Sequence, residues 1–411
     1  MSRPNGGHDV IVVGARCAGS PLAMLLARKG HRVLLVDRAT FPSDTISTHV
    51  LHPLAVASLA RWGLLDRLVR TGCPPAHTYL FDFGPVVIMG SPGTPESKVA
   101  YSPRRTVLDK ILVDASADAG AEVREGFKVE EILLEGGRVV GIRGREKGGA
   151  SVTERASVVV GADGRQSLVA EAVSAETYRA RPPLLCAYYT YFSGLPLAGR
   201  FETYIRPRRG FAAIETHAGL TMVVAGWPSA EFETQRPRFE QCYLETLALA
   251  PRFAERVRAA RREEKIAGAL VPNFFRKPFG PGWALVGDAG YTKDPITAQG
   301  ILDAFRDAEL CATALDASLR GARGFDEAMG AYQRMRDEKA LPMYEFTCGL
   351  ATLEPPPPEM QRLIGAACGN QKAMDRFVQM NAGTISPAEF MSPQSVAEIL
   401  GGAARQTQDA T

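Results

Sequence analysis

The opening of the chain leaves it the fewest choices. Asp9-Val10-Ile11-Val12-Val13 is a short β-branched run, the pattern of a strand buried on both faces of a parallel sheet. Gly14-Ala15-Arg16-Cys17-Ala18-Gly19-Ser20 reads as a turn. Residues 21–29 then carry Leu22, Leu25 and Leu26 at helical spacing until Gly30 stops them. Residues 31–37 form a second apolar run that closes on Asp37. A strand, a glycine turn, a helix and a second strand within about 30 residues begin a nucleotide-binding α/β sheet. Gly14, Ala18 and Gly19 would carry the phosphate turn, with Arg16 standing where G-x-G-x-x-G has its middle glycine. Asp37 would take the ribose hydroxyls, because one carboxylate can accept from both.

Two more stretches read as strands of that sheet: residues 158–161, ending in Asp163-Gly164, and residues 282–286, ending in Gly287-Asp288. A helix is expected from Ile301 to about Leu319. Between them, residues 184–227 alternate apolar and polar, as antiparallel strands do. The helix-like stretch 239–262 is expected to return the chain to the first domain. The fold class is therefore α/β with α+β character: a Rossmann-like dinucleotide domain, an inserted antiparallel β-sheet domain and a C-terminal helical segment. The division is 1–75, 100–175 and 268–345 for the first, 76–99 and 176–267 for the second, and 346–411 for the third. Residues 401–411 are expected to be disordered, and the apolar residues of the tail to pack on the first domain.

Composition narrows the partners. The 411 residues carry 48 Lys+Arg against 45 Asp+Glu, a net charge of +3, and no basic block, so nucleic acid is disfavoured. No apolar run approaches the roughly 18–20 residues that span a bilayer, and residues 1–8 lack a signal-peptide core, so a cytoplasmic protein is expected. Seven scattered cysteines without a CxxC pair predict neither a disulfide framework nor a metal site.

Three further blocks specify the dinucleotide. They are Arg104-Arg105-Thr106-Val107-Leu108-Asp109 at a helix start, Ala162-Asp163-Gly164-Arg165-Gln166-Ser167 after a strand, and Gly287-Asp288-Ala289 followed by Pro295 and Ala298-Gln299-Gly300-Ile301. With the opening turn, and in this order, they resemble the p-hydroxybenzoate hydroxylase-like flavoprotein superfamily over residues 9–320. That superfamily holds class A FAD monooxygenases, flavin-dependent halogenases and geranylgeranyl reductases. The resemblance implies FAD, with NAD(P)H as co-substrate. It implies Arg38 and Arg105 near the FAD ribose, phosphates and ribityl chain, Asp163 in the Asp-Gly fingerprint and Asp288 on the ribityl hydroxyls. It further implies Pro295 over the ring, with Gly300 and Ile301 at a helix N-terminus facing the flavin.

The chain departs from the pattern at Arg16, at Tyr291 where aromatic hydroxylases carry His, and at Ala170 where the Asp-Gly block ends in Arg. These positions bear on NAD(P)H docking, not on FAD. Trp62, Trp227 and Trp283 do not make the halogenase W-x-W-x-I-P signature. Phe211-Ala212-Ala213-Ile214-Glu215 lacks the Trp and Pro of the prenyl reductases.

The reading is then an FAD-dependent monooxygenase. It uses NAD(P)H and O2, through a flavin C4a-hydroperoxide, on a small or mid-sized aromatic or polycyclic substrate of specialised metabolism. His49, in a segment the family sets beside the flavin edge, is the candidate catalytic residue. Tyr189 and Tyr191 are expected on one sheet face, with Tyr188 and Phe192 on the other. His217 is expected to face solvent, and Arg206, Arg208 and Arg209 to form a basic turn. A geranylgeranyl-reductase-like alkene reductase and a non-catalytic FAD-binding protein stand as alternatives. A homodimer or a separate flavin reductase stays open as a partner.

Overall fold

A computed structural model describes residues 7–409, with side chains through 401. Residues 1–6 and 410–411, on which part of the leader and tail expectations fall, lie outside the described residues.

The first sheet is the expected one. Trp283–Leu285, Val152–Gly161, His8–Val13, Val33–Val36 and Glu122–Arg124 lie parallel in that order. Val10 and Val12 pack under helices Gly19–Arg28, Arg105–Asp118 and Gly300–Leu319, whereas Ile11 and Val13 face Phe127, Ile132 and Val139 of a β-hairpin. This two-sided burial is why the strands read as unbroken apolar runs. The turn after His8–Val13 needs its glycines for close backbone approach. Gly14 has φ +105°, and a Cβ there would stand 2.4 Å from the Ala162 carbonyl oxygen; one at Gly19 would stand 1.8 Å from that of Gly14.

The second sheet runs Arg261–Arg262, Leu185–Ser193, Leu220–Pro228, Arg209–Glu215, Arg200–Arg206, Thr78–Asp82, Val87–Gly90, with Ala267–Leu270 also on Leu185–Ser193. It is antiparallel except where Arg200–Arg206 meets Thr78–Asp82 in parallel. Thr177–Arg181 belongs instead to a small third sheet with Asn273–Arg276 and Tyr291–Thr292.

Three expectations are corrected. The stretch 239–262 is two helices, Phe239–Ala248 and Pro251–Ala259, broken before Pro251. Their Tyr243, Leu247 and Phe253 cover the second sheet at Phe192, Phe211 and Val223 and do not return the chain to the first. The tail also packs on the second sheet: Phe377, Met380 and Phe390 meet Phe81 and Ile88. The last helix is Pro393–Asp409.

His217 accepts a hydrogen bond from the Arg104 amide and contacts the Thr71 hydroxyl, so it is half-buried and partnered. Arg206, Arg208 and Arg209 are paired with Asp82, Glu231 and Glu354. The three tryptophans are buried apart, Trp227 stacked on Tyr188. All seven cysteines are free.

Candidate active site

A cleft of about 730 Å³ runs between the two large sheets. Gly14, Ala18, Asp37, Arg38, Arg105, Asp163, Asp288, Pro295, Gly300 and Ile301 all line it, although they span most of the chain. Gly19 sits behind the turn, and His49 lies outside the lining. At one end Asp37 accepts the Ala15 and Ala39 amides, at 2.7 and 2.8 Å, one on each carboxylate oxygen. Each oxygen keeps a lone pair for a further donor.

Farther along, Asp163 spends one oxygen on the Leu168 amide at 2.8 Å. Its other oxygen is buried and has no partner. Burial pushes its carboxyl above the usual range. The Asp288 carboxylate opens into the cleft while protein packs round its other sides. Burial raises its carboxyl too, opposed by the Arg105 charge. At the far end the 20-residue helix Gly300–Leu319 begins with its first turn in the cleft. A Cβ at Gly300 would meet nothing within 4 Å, so the helix end is bare. Its unpaired N–H groups and dipole favour an electron-rich ligand edge.

These features fit FAD. An acceptor stands at the ribose end, Asp163 and Asp288 line the middle, and a bare helix N-terminus stands at the ring end.

The wall facing that helix comes from the second sheet. Tyr189 and Ala187, Met222 and Val224, and Ala269 line it, an apolar surface with one hydroxyl-bearing ring. Tyr188 and Phe192 point the other way, into the cores under Trp227 and Phe253. Behind Tyr189 lies His49, fully buried, with Nε2 2.5 Å from the Tyr191 hydroxyl and Nδ1 without a partner. Burial, and then the Arg105 charge, hold its pKa down at about 3, so the ring is neutral. Its φ of +61° is a strained setting for a residue with a side chain.

The departures from the pattern are now explained locally. Tyr291 stacks on Phe275 at 4.5 Å and accepts a hydrogen bond from Lys293 at 2.8 Å, and Lys293 is paired with buried Asp303. Ala170 is packed in the core of helix Leu168–Ala172.

Sequence reasoning missed Asp109. It is fully buried and holds both Arg16 (Nη1–Oδ2 2.6 Å) and Arg105 (Nε–Oδ1 2.9 Å), with the Cys17 thiol donating at 3.4 Å. The signal was present: an acid four residues after Arg105, on the helix face that buries Leu108, Leu112 and Val113. Among the described residues no cluster of three His, Cys, Asp or Glu side chains could hold a metal ion, and no helix is long and apolar enough to cross a membrane.

Comparison with known proteins agrees with this geometry. Residues 7–347 match the FAD binding domain family. A 6-methylpretetramide 4-monooxygenase of Streptomyces rimosus is 29% identical, the match covering 82% of each chain. A digeranylgeranylglycerophospholipid reductase of Methanocella arvoryzae is 27% identical over 79% of this chain and 81% of its own. Among solved structures, the myxobacterial chondrochloren halogenase, an FAD-dependent halogenase, superposes with a TM-score of 0.77 at 26% identity over 96% of both chains. The bare helix end, the acid-lined cleft and the match over residues 7–347 lead to one conclusion: the chain belongs to the FAD binding domain family, within the p-hydroxybenzoate hydroxylase-like flavoproteins, and is an FAD-dependent oxidoreductase.

Proposed function

We propose that the protein is a monooxygenase that consumes NAD(P)H and O2 to oxygenate a small or mid-sized aromatic or polycyclic molecule. The observation that carries this reading is the apolar wall of Ala187, Tyr189, Met222, Val224 and Ala269 standing across one cleft from the Gly300 helix end. Bound FAD would supply the hydride acceptor and the O2-reactive centre. The chain's own part is to hold the cofactor with Asp37, Asp163, Asp288 and Arg105, and to keep water from the ring with the apolar wall. No cation lies on that wall, which suits an aromatic face and not a buried acid group. The likeness to the 6-methylpretetramide 4-monooxygenase supports the same class.

His49 acts at one remove. Its neutral ring is hydrogen-bonded to the Tyr191 hydroxyl, and Tyr191 packs edge-on to the cleft-lining Tyr189 at 5.7 Å, so His49 positions the two rings. His49→Ala should keep its flavin and lose turnover by about tenfold, the worth of one buried hydrogen bond. His49→Gln, whose amide can still meet the Tyr191 hydroxyl, should recover most of the loss, which a packing role would not give. Unchanged kinetics would return His49 to the core.

The reading itself is tested by mixing the flavin-loaded protein with NADPH or NADH without oxygen, across a panel of phenols and fused-ring phenols. Flavin reduction accelerated by one class of phenol, and oxygenated product in air, is the expected result. Anaerobic saturation of an isoprenoid alkene would replace it with the reductase reading, which the archaeal relative supports.

A further inference from the structure

The segment 43–48 has neither helix nor strand, yet five consecutive residues of it, Asp44 to Thr48, line the cleft. Its internal bonds are slight: the Thr45 amide to the Asp44 carboxylate at 2.9 Å, and the His49 amide to the Ser47 hydroxyl at 3.0 Å. It carries Ile46, which is 53% exposed. What fixes this wall is two guanidinium groups. Arg16 donates from Nη2 to the Ser43 hydroxyl at 3.0 Å and the Asp44 carbonyl at 3.3 Å, and from Nη1 to the Ser43 carbonyl at 3.3 Å and to buried Asp109 at 2.6 Å. Arg104 bonds the Asp44 carboxylate at 3.2 Å and Glu264 of the opposite side at 2.8 Å, and lies 4.1 Å over the Tyr191 ring.

We propose that Arg16 is a positioning residue that latches segment 43–48 across the cleft. The glycine expected at this place in the fingerprint has no side chain. Here the side chain shares the buried Asp109 carboxylate with Arg105, and its planar fork reaches three acceptors on the strap. One side of the substrate space is thereby set from the dinucleotide turn. Arg104, at the start of helix Arg105–Asp118, grips the same end of the strap through the Asp44 carboxylate. An exposed isoleucine on a strap held this way is poised to pack on a bound ring and not on a core.

The role goes beyond the monooxygenase reading and is tested without turnover. Thermolysin cuts before exposed apolar residues, so cleavage at Thr45–Ile46 reports release of the strap. Arg16→Lys keeps a cation beside Asp109 but cannot fork to Ser43 and Asp44. It should melt and hold flavin like the parent, yet be cut at Ile46 about fivefold faster, and Arg16→Gly at least about tenfold faster. In flavin-loaded enzyme with a turned-over substrate, Arg16→Lys should raise KM several-fold while kcat changes little. Parental cleavage rates in both variants would overturn the proposal, whatever the enzyme's substrate proves to be.

Discussion

Asp288→Ala is expected to purify nearly colourless. The residue follows strand Trp283–Leu285 on a turn whose Gly287 has φ +57°, so the backbone holds it at the cleft whatever its side chain. Its carboxylate is aimed into the open cleft, where the Arg105 charge opposes the upward push that the surrounding protein gives its carboxyl. A charge-assisted hydrogen bond to a ribityl hydroxyl contributes about 1.5–3 kcal/mol, or roughly ten- to a hundredfold in affinity. Flavin absorbance per protein should fall accordingly, while the circular dichroism spectrum stays parental. Asp288→Asn should retain more flavin, since its amide oxygen still accepts. A fully yellow Asp288→Ala would remove Asp288 from the cofactor site.

Asp109→Ala should cost more stability than any other single change near the cleft. The substitution leaves the buried Arg105 without its carboxylate and facing the charge of Arg16, which lies at the cleft wall. Breaking a buried pair from one side costs about 3–5 kcal/mol. The melting temperature should drop by about 3–6 °C. The strap should loosen as well, because Arg16 loses the partner that aims it. A melt within 1–2 °C of the parent would mean that water or main-chain groups pair the two arginines instead, since surface substitutions stay within about 0.5 kcal/mol.

Much of the site could be read in advance because its residues sit where strands and helices end. Asp37, Asp163 and Asp288 each close a strand of one parallel sheet, so topology alone brings their ends to one edge. The chain-distant Gly300 joins them because its helix packs on the same sheet. What stayed hidden is set by long-range packing. Nothing local says that Phe377 and Phe390 bury on Phe81 and not on the first sheet, since an amphipathic helix fits any apolar face. Nor does spacing say which way Arg16 points: the guanidinium has carboxylate and carbonyl partners up to 93 residues away. His49 was placed beside the cofactor by its segment, but a positive φ turns its ring inward under Tyr191.

The tail helices do more than fill space. Val87–Gly90 is the last strand of the second sheet, with Val87 and Met89 exposed. Helix Gln371–Ala382 lies so close that a Cβ on Gly90 would stand 3.0 Å from the Asp375 backbone. Gln371 bonds the Met89 carbonyl at 3.2 Å, Cys368 the Val87 carbonyl at 3.4 Å, and Asp375 the Ser91 amide at 2.8 Å. A row of main-chain groups that could recruit a neighbouring molecule's strand is thus spoken for within the chain. Loss of the residues after Pro358 is expected to bare that adhesive border and also to free Gln299, beside the flavin-facing helix end, from the Asn381 carbonyl that it bonds at 3.1 Å.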